Sequence, residues 1–405
     1  MQKAIIITDD PNISTGNAKV CRYLCQGLEK LGYEIAHIVG WNGIGMNKYK
    51  WPITTIDGTK QNHPDTGIKV QLLCNKIKPD VIVMHGDVWN FSYMPHIKTK
   101  ALKILYATVD FEPLNKCHKA TFECMDSVIV TSSYGARVLN EQFDLCPEVI
   151  YEGVDTSIFY PLDEEGLDKV RDNLKKQAKA NNLHVPEFFM AVLSRPIQRK
   201  NLPAAIRAVS KLSDIYPNVG LISLYQMQGI KNAEHDMNEI HSRYLNPKMP
   251  KYVVKGVCPS SIDVDDQTIA SYLQASHVLI HPCMAEGWGL PVLEAMACGV
   301  VPLVTNCTSM PDLVDDSTGY LVDVGGVICN PTNDEKNMEQ SIISDKDLFD
   351  KLRHAYVHRS QLMEKRKNAI KFAKELSWDK TCLAIHKNII ATSLGYNRRL
   401  VSISI

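Results

Sequence analysis

The stretch HVLIHPCMAEGWGLPVLEAMACGVVPLVT, residues 277–305, decides the fold. An apolar run over 277–282 ends at a proline, a loop with two glycines follows, and 291–298 has the composition of a helix. A second apolar run comes next, over 301–305. Short continuous apolar strands joined by a helix are typical of a parallel sheet that is covered on both faces.

The same alternation extends through the rest of the chain. Apolar runs predict strands at 188–194, 219–225 and 252–256, and nearer the N-terminus at 4–8, 34–39, 80–85, 103–108 and 127–132. The pattern breaks near 151–166 and then restarts, which in a chain of 405 residues predicts two domains. We therefore expect an α/β fold of two Rossmann-like, doubly wound domains that face an interdomain cleft. The stretch 40–62 is predicted to be a loop, and 394–405 a loosely held tail.

The overall composition argues against several classes of protein. The 45 Lys and Arg residues balance the 45 Asp and Glu residues, so neither a nucleic-acid partner nor a strongly charged membrane face is expected. No apolar run is long enough to cross a bilayer, so any membrane contact is expected to be peripheral at most. The N-terminus lacks the apolar core of a signal peptide, and the twelve cysteines include no C-x-x-C pair. These features predict a cytoplasmic protein with reduced thiols.

Residues 285–294 place two carboxylates on either side of an anion-binding loop. Gly287 and Gly289 let the backbone approach a ligand closely, and the free amide groups at the start of the following helix attract an anion. Glu294 is predicted in the first turn of that helix, where it can accept hydrogen bonds from the hydroxyls of a ribose. Glu286, one loop earlier, can hold the hydroxyls of a second sugar. A sugar nucleotide suits this arrangement; the alternative is an ordinary loop with a helix-capping glutamate.

The wider segment PCMAEGWGLPVLEAMACGVVPL resembles the E-x7-E signature of the retaining glycosyltransferases of family 4, the glycosyl transferases group 1, which have the GT-B fold. In that family the first glutamate contacts the donor sugar, the second contacts the ribose, and the amides between them bind the diphosphate. The resemblance implies the first role, within the catalytic centre, for Glu286 and the second for Glu294. It implies that Gly287, Gly289 and Leu290 bind the diphosphate.

A second segment, LSRPIQRKNLPAAIRAV (193–209), places cations in the loop before a helix. Fixed charges on Arg195 and Lys200 would stabilise the negative charge that grows on a departing diphosphate. The segment resembles the family's G-R-x-x-x-x-K motif, with Ser194 in place of the usual glycine. Arg199 is the less favoured substitute for either cation, and a solvated basic turn is the alternative to a site.

Strand ends in the first half supply further candidates. Gly16 opens the first helix, and the resemblance implies that its loop approaches the donor phosphate and the acceptor. Asp110, in YATVDFEP, stands where many relatives carry histidine; we expect it to hold the donor sugar or to stabilise positive charge on the anomeric carbon, with Glu112 able to share that role. His85, in VMHGDVW with Asp87, is expected to orient the acceptor or to shuttle a proton, although a lone histidine at a strand end is more often structural.

Four other segments complete the comparison. VIYEGVDTSIFYP (149–161) resembles the family's domain junction and is interpreted as a hinge. ELSWDKTCLAIHKNI (375–389) resembles its closing helix, with Trp378 as an anchor on the first domain. DVDD (263–266) contains the metal-binding D-x-D pattern of another glycosyltransferase fold, but it directly precedes a helix and is predicted to cap it. GWNGIG (40–45) follows the second strand rather than the first, so it does not predict a dinucleotide site.

The resemblance implies an acceptor-binding domain over 1–160, a nucleotide-sugar donor domain over 161–375, and a C-terminal helix and tail over 376–405. The implied reaction moves a sugar from a nucleotide-diphosphate sugar to an acceptor hydroxyl with retention of configuration. In the front-side mechanism, the departing phosphate takes the acceptor's proton. No metal ion and no cofactor besides the donor substrate are implied, and the acceptor is a glycan, a lipid or a protein.

Other functions remain open at this point. A GT-B sugar phosphorylase would use a sugar phosphate instead of a sugar nucleotide. An inactive sugar-nucleotide-binding or scaffold protein would keep the same loops without turnover, and Asp110 in the place of histidine leaves that interpretation open. An NAD-dependent oxidoreductase is disfavoured because the first strand lacks the glycine fingerprint of such enzymes.

Overall fold

The computed structural model describes residues 1–43, 47–57, 63–224, 236–253, 264–330 and 338–396. The chain divides into two compact units. The first contains Met1–Gly153 and the segment that starts at Trp378, and the second contains Val154–Asn330 and Glu339–Ser377. Each unit has its own parallel sheet with helices, which confirms the predicted α/β class.

The first unit is built on a seven-stranded parallel sheet. Its strands are β1 (Gln2–Asp9), β2 (Tyr33–Trp41), β3 (Ile53–Ile56), β4 (Val81–Gly86), β5 (Leu102–Ala107), β6 (Ser127–Val130) and β7 (Glu148–Val149). Their order in the sheet is β3-β2-β1-β4-β5-β6-β7. The order reverses between β1 and β4, and open α/β sheets bind ligands at such a switch point.

Four helices accompany these strands: α1 (Gly16–Lys30), α2 (Pro64–Ile77), α3 (Lys119–Glu123) and α4 (Ser133–Phe143). Hydroxyl side chains cap two of them. The Thr15 hydroxyl accepts a hydrogen bond from the Ala18 amide at the start of α1, and the Ser132 hydroxyl accepts one from Gly135 in α4, each at 3.1 Å. Such caps satisfy amide groups that have no partner within the helix and so fix where it begins.

The second unit contains a six-stranded parallel sheet. Its strands are β8 (Phe188–Leu193), β9 (Val219–Leu224), β10 (Lys251–Val253), β11 (Val278–His281), β12 (Val301–Thr305) and β13 (Tyr320–Val322). The order is β10-β9-β8-β11-β12-β13, so the switch point lies between β8 and β11. A separate two-stranded sheet pairs β14 (Val324–Asn330) with β15 (Met338–Ile343).

The helices of this unit are α5 (Glu164–Ala180), α6 (Leu202–Ile215), α7 (Met237–Tyr244), α8 (Asp266–Ala275), α9 (Leu290–Ala297), α10 (Met310–Leu313), α11 (Asp345–Val357) and α12 (Leu362–Glu375). Alternate residues of β8, such as Met190 and Val192, share a buried core with Ala205 and Val209 of α6. The Asp265 carboxylate accepts a hydrogen bond from the Thr268 amide at 2.7 Å and caps α8, as predicted for DVDD; residue 263 lies outside the described ranges.

The last helix, α13 (Trp378–Ser393), packs against α1 within the first unit. The Trp378 ring stacks on Tyr23 with 4.8 Å between ring centroids and an angle of 5° between the planes. Gly27 lies directly against Cys382. A Cβ at this glycine would collide with the thiol, so the two helices approach closely here. Within the first unit, α13 is therefore held on α1 by Trp378 and Cys382.

The prediction of a loop over 40–62 was wrong at 40–41 and at 53–56, which lie in strands. Strand β2 continues to Trp41, and 53–56 forms β3, which pairs in parallel with β2 so that Ile53 lies opposite Ile38. Four residues are too few to display a period, and the segment lies at the edge of the sheet, so its pattern is weak. Residues 44–45 of GWNGIG lie outside the described ranges.

Two expectations from composition concern thiols and membranes. The described part of the chain contains eleven cysteines, and all of them are free thiols. Cys21 and Cys25 are fully buried side chains of α1. In the described residues we find no helix with both the length and the apolar character needed to cross a bilayer.

Candidate functional site

Loops that follow β8, β11 and β12 meet at the switch point of the second unit. The Met284 amide donates a hydrogen bond to the Arg199 carbonyl at 2.8 Å, which joins the loop after β11 to the loop after β8. The Glu286 amide donates to the Thr308 hydroxyl at 3.0 Å, and the Ser309 hydroxyl donates to the Glu286 carbonyl at 2.8 Å. The backbone of Glu286 is therefore fixed on both sides by the loop after β12.

The Glu286 carboxylate is buried among cations. Its Oε2 atom contacts the Lys200 ammonium and lies 2.9 Å from Nη1 of Arg199. Its other oxygen, Oε1, lies 3.7 Å from Nε2 of His281. Burial by itself would raise the pKa of this carboxyl, but Lys200, His281 and Arg199 together hold it well below its usual range. The carboxylate is thus ionised.

The cations around this carboxylate carry an excess of positive charge. Burial and the neighbouring Arg199 lower the pKa of the Lys200 ammonium, while Glu286 opposes that shift. Burial also disfavours a charged His281, but Cys283 and Glu286 outweigh it and raise the pKa of His281 to about 9. Two fixed cations, Lys200 and Arg199, therefore face one carboxylate, with the His281 imidazole beside them. Such a site is suited to bind a further anion.

The loop between β11 and α9 depends on one glycine. Gly289 has φ of +111° and lies immediately before the first residue of α9. A Cβ at this position would lie 2.6 Å from Cε of Met310 and 3.2 Å from Cδ1 of Leu313. The left-handed conformation and the close approach both require glycine. Leu290 begins α9, and its amide group belongs to the helix start that the sequence predicts as an anion site. Pro291 has no N–H group, and the amides of Val292 and Leu293 donate to the Gly289 carbonyl at 2.9 and 3.2 Å.

Glu294 is not in the first turn of α9, so that prediction was wrong. The helix begins at Leu290, before the Pro291 chosen from sequence, because Gly289 takes the capping position. Glu294 is therefore the fifth helical residue, and its side chain is buried. The helix dipole does not act on this carboxylate as it would in the first turn, so a different contact must account for its burial.

The two predicted cations are placed differently. Lys200 is buried against Glu286, whereas Arg195 is exposed just after β8. The neighbour that the sequence ranked lower, Arg199, contacts Glu286 together with Lys200 and also donates to the carbonyl of Ala285 at 2.5 Å. Arg199 is therefore the second cation of this cluster.

Gly16 lies at the switch point of the first unit, as the first residue of α1. The preceding Thr15 donates its hydroxyl hydrogen to the Asp9 carboxylate, at 2.6 Å, and caps α1 with the same oxygen. The amide of Asn42 also reaches Asp9, at 3.4 Å. These contacts tie the loop to the end of β1, and a role of Gly16 in binding stays a prediction.

His85 is fully buried in β4, beside the switch point of the first unit. Its Nδ1 atom lies 3.1 Å from the Tyr106 carbonyl, and its Nε2 atom lies 3.7 Å from the carboxylate of Glu152. Burial lowers the pKa of His85 to about 4, although the hydrogen bond to the Tyr106 carbonyl acts to raise it. The imidazole is therefore neutral at pH 7.

Asp110 follows β5 and is 8% exposed, so little of its side chain faces solvent. Glu112, which sequence offered as a partner in the same role, is instead held by Arg137 in a two-pronged ion pair at 2.7 and 3.2 Å. Asp87 accepts a hydrogen bond from the Thr108 hydroxyl at 2.7 Å. Of these carboxylates, Asp110 remains the candidate for substrate contact.

Sequence reasoning missed several side chains of the second-unit cluster. His281 and Cys283 directly precede the glutamate loop, and Thr308 and Ser309 clamp it from the neighbouring strand end. A signal was present in the letters H-P-C before Glu286 and T-S after β12. It was read as strand and loop because the register of the three loops was not known.

A family model matches part of the second unit. Residues 261–361 match the model described as glycosyl transferases group 1. This range contains Glu286, Gly287, Gly289, Leu290 and Glu294, but not the loop of Lys200.

Curated relatives are similar over parts of the chain. A serotype-specific mannosyltransferase, WbdA of Escherichia coli, is 26% identical over 196 residues, which cover 48% of this chain and 22% of the relative. A D-inositol 3-phosphate glycosyltransferase of Corynebacterium aurimucosum is 23% identical over 280 residues, 62% of this chain and 61% of the relative. The chain thus spans less than a quarter of the length of that mannosyltransferase and about three fifths of the second relative.

Solved structures share the fold over nearly the whole chain. The sucrose-phosphate synthase of Thermosynechococcus elongatus has a TM-score of 0.73 and 16% identity, and the alignment covers 98% of this chain and all of that one. HepE of Anabaena in complex with UDP and glucose has a TM-score of 0.69 and 13% identity, over 96% of this chain and all of that one. The chain therefore has the GT-B fold, and within it residues 261–361 match a glycosyl transferases group 1 domain.

Proposed function

We propose that this protein is a retaining glycosyltransferase of family 4 that uses a nucleotide-diphosphate sugar as donor. The observation that carries the proposal is the cluster at the switch point of the second unit. There Lys200 and Arg199 hold the buried Glu286 carboxylate beside the glycine-led start of α9. Cations and free amide groups bind phosphate oxygens, and a fixed carboxylate binds sugar hydroxyls.

The donor would be held by named groups of that cluster. Lys200, Arg195 and the amide groups from Gly287 to Leu290 would bind the diphosphate, because the two side chains are positive and backbone amides donate hydrogen bonds to phosphate oxygens. Glu286 would accept hydrogen bonds from the donor sugar through Oε1, since Oε2 is engaged by Lys200 and Arg199. Glu294 would accept from the ribose hydroxyls.

The proposed reaction proceeds on one face of the sugar. The bond between the anomeric carbon and the phosphate oxygen breaks, and a new bond to the acceptor oxygen forms on the same face. The acceptor's proton passes to the departing phosphate oxygen, which leaves as a nucleoside diphosphate. The negative charge that grows on this leaving group is stabilised by Lys200 and the helix start, so the mechanism needs no metal ion.

The first unit would supply the acceptor side of the reaction. Asp110 is proposed to stabilise positive charge on the sugar, and Gly16 to allow close approach at the start of α1. His85 is buried, so it would act by positioning this region rather than by contact with a substrate in solution. The acceptor is a glycan, lipid or protein hydroxyl, and we further propose that the protein acts in the cytoplasm.

The neighbours suggest which donors to test first. HepE was solved with UDP and glucose, and a starch synthase of Arabidopsis thaliana with ADP and acarbose. Four of the relatives are named mannosyltransferases. UDP-, ADP- and GDP-linked hexoses, with mannose among them, therefore form the donor panel.

The stereochemistry of the product tests this proposal. Purified protein would be incubated with each α-linked donor and a panel of simple alcohol and sugar acceptors in EDTA, and the anomeric proton of the first product would be followed by NMR. We expect an α-linked product and an unchanged rate in EDTA. A β-linked product would contradict retention, and activity that requires added divalent metal would contradict the proposed charge stabilisation. Turnover of sugar phosphate with orthophosphate, but not of sugar nucleotide, would identify a phosphorylase.

A further inference from the structure

A second chemical feature lies within the loop after β11. His281, Cys283 and Glu286 are all buried, and one potential ligand atom from each lies within 4.8 Å of the others. The proposed transfer uses Glu286 only and gives no function to the imidazole or the thiol. The described residues contain no other group of three such side chains.

The distances within the group are those of metal ligands rather than of a hydrogen bond. Nε2 of His281 and Oε1 of Glu286 are 3.7 Å apart, beyond the range of an N–H···O bond, and this buried nitrogen has no hydrogen-bond partner. A tetrahedral Zn²⁺ ion binds imidazole nitrogen at about 2.0–2.1 Å and carboxylate oxygen at about 2.0–2.2 Å, which sets the two ligand atoms about 3.4 Å apart. A small adjustment of either side chain would therefore let both bind one ion.

The carboxylate can serve the cations and a metal ion at the same time. Lys200 and Arg199 contact Oε2, whereas Oε1 faces His281. A metal ion on Oε1 would leave both ion pairs in place. The nearby ammonium and guanidinium repel a dication, and the ion must also displace the protons of the His281 imidazole and the Cys283 thiol, so we expect micromolar rather than tighter binding.

The ligand types select the metal. Thiolate and imidazole favour Zn²⁺ and Co²⁺, whereas Mg²⁺ and Ca²⁺ prefer sites made of oxygen alone. With three protein ligands, one position of a tetrahedral ion stays open to water or to a hydroxyl.

We propose that His281, Cys283 and Glu286 form an inhibitory site for a thiophilic divalent ion of the Zn²⁺ class, which competes with the donor sugar for Oε1 of Glu286. The binding site stands on the geometry alone, and the competition rests on the proposed transferase function. An ion held there removes the carboxylate oxygen that the sugar would use, so metal and donor exclude each other.

Cobalt spectroscopy tests the site without any need for activity. Apo protein would be titrated with Co²⁺, and the thiolate-to-cobalt charge-transfer band and the d–d bands would be recorded. We expect both in wild type and in Cys298→Ala, a matched control that removes a buried thiol of the same segment outside the group. Cys283→Ala and the near-isosteric Cys283→Ser should lose the charge-transfer band and bind Co²⁺ at least tenfold more weakly. Absence of the band in wild type, or its persistence in a folded Cys283 variant, overturns the site.

Donor titrations with and without Zn²⁺ test the competition. In wild type, Zn²⁺ at the concentration that half-fills the cobalt-defined site should raise the apparent KM for the donor about twofold and leave kcat unchanged, while Mg²⁺ should do neither. Cys283→Ala should lose this response at the same Zn²⁺ concentration. A fall in kcat at constant KM would overturn competition while the cobalt spectra still support the site. If metal-free wild type shows no turnover with any donor, the proposed function fails, and the cobalt experiment alone decides the metal site.

Discussion

Replacing Lys200 with alanine is expected to lower kcat for sugar transfer by about 10²- to 10³-fold, the usual effect of removing one group that stabilises developing negative charge. Lys200 is buried, so no mobile ion from solvent replaces its charge cheaply. Its loss also leaves Glu286 with fewer cations, which raises the pKa of that carboxyl toward its usual range. We therefore expect KM for the donor to rise as well. Steady-state release of nucleoside diphosphate would measure both constants.

A matched control separates this effect from general destabilisation. Arg207 on α6 pairs with Asp345 through two bonds of 2.8 and 2.9 Å on the surface of the same unit. Arg207→Ala removes a paired cation outside the cluster. Because exposed ion pairs contribute little to stability, the variant should stay folded and keep kcat within about twofold of the wild-type value. Equal rates for wild type and a folded Lys200→Ala variant would show that this ammonium does not act on the leaving group.

Gly289→Ala is expected to destabilise the second unit by about 2–4 kcal/mol and to weaken donor binding at least tenfold. A left-handed conformation costs an L-residue about 1–2 kcal/mol, and overpacking typically costs about 1–3 kcal/mol. Both apply here, since φ is +111° and the new Cβ would meet Met310 and Leu313. The helix start that carries the Leu290 amide would then move. Thermal unfolding and donor calorimetry would measure the two effects.

Gly326→Ala is the matched control for that variant. Gly326 lies in β14 of the same unit, a Cβ there meets no atom within 4 Å, and its φ is not in the left-handed region. We expect a change in unfolding free energy of less than about 0.5 kcal/mol, as for other surface substitutions. If the two alanine variants unfold at the same temperature, the conformation of Gly289 is not under the constraint described above.

Much of the architecture could be predicted because parallel strands that are buried on both faces have short, continuous apolar sequences. The runs at 4–8, 80–85, 188–194 and 278–281 all became central strands. The edge strand β3 was not predicted because it is four residues long and half exposed. Periodicity identifies elements that bury a face, and an edge strand of this length buries little.

The cluster of side chains around Glu286 was predicted in part. The glutamate loop was identified because its functional residues are neighbours in the sequence: Glu286, Gly287 and Gly289. Arg195 was ranked above Arg199 because it matches the arginine of the family's G-R-x-x-x-x-K motif. The structure shows that a 3-10 turn over 198–200 directs Arg199 and Lys200 together toward the loop after β11.

The side chains that sequence missed belong to contacts between loops. His281 and Glu286 are five residues apart in the chain, but their approach depends on the loop turning back over the end of β11. Glu294 was placed one residue too early in the helix because the left-handed Gly289 makes Leu290, rather than Pro291, the first helical residue. Such backbone conformations are decided by packing against α10, which the segment alone does not reveal.

Calorimetric titration of sugar nucleotides into the purified protein in EDTA tests the central claim most directly. Wild type would be titrated with UDP-, ADP- and GDP-hexoses, beside Glu294→Ala and the near-isosteric Glu294→Gln. We predict that wild type binds one donor class and that both variants bind it at least tenfold more weakly, because they lose the carboxylate proposed to hold the ribose. Failure of wild type to bind any donor, or equal affinity in folded Glu294 variants, would contradict the sugar-nucleotide site.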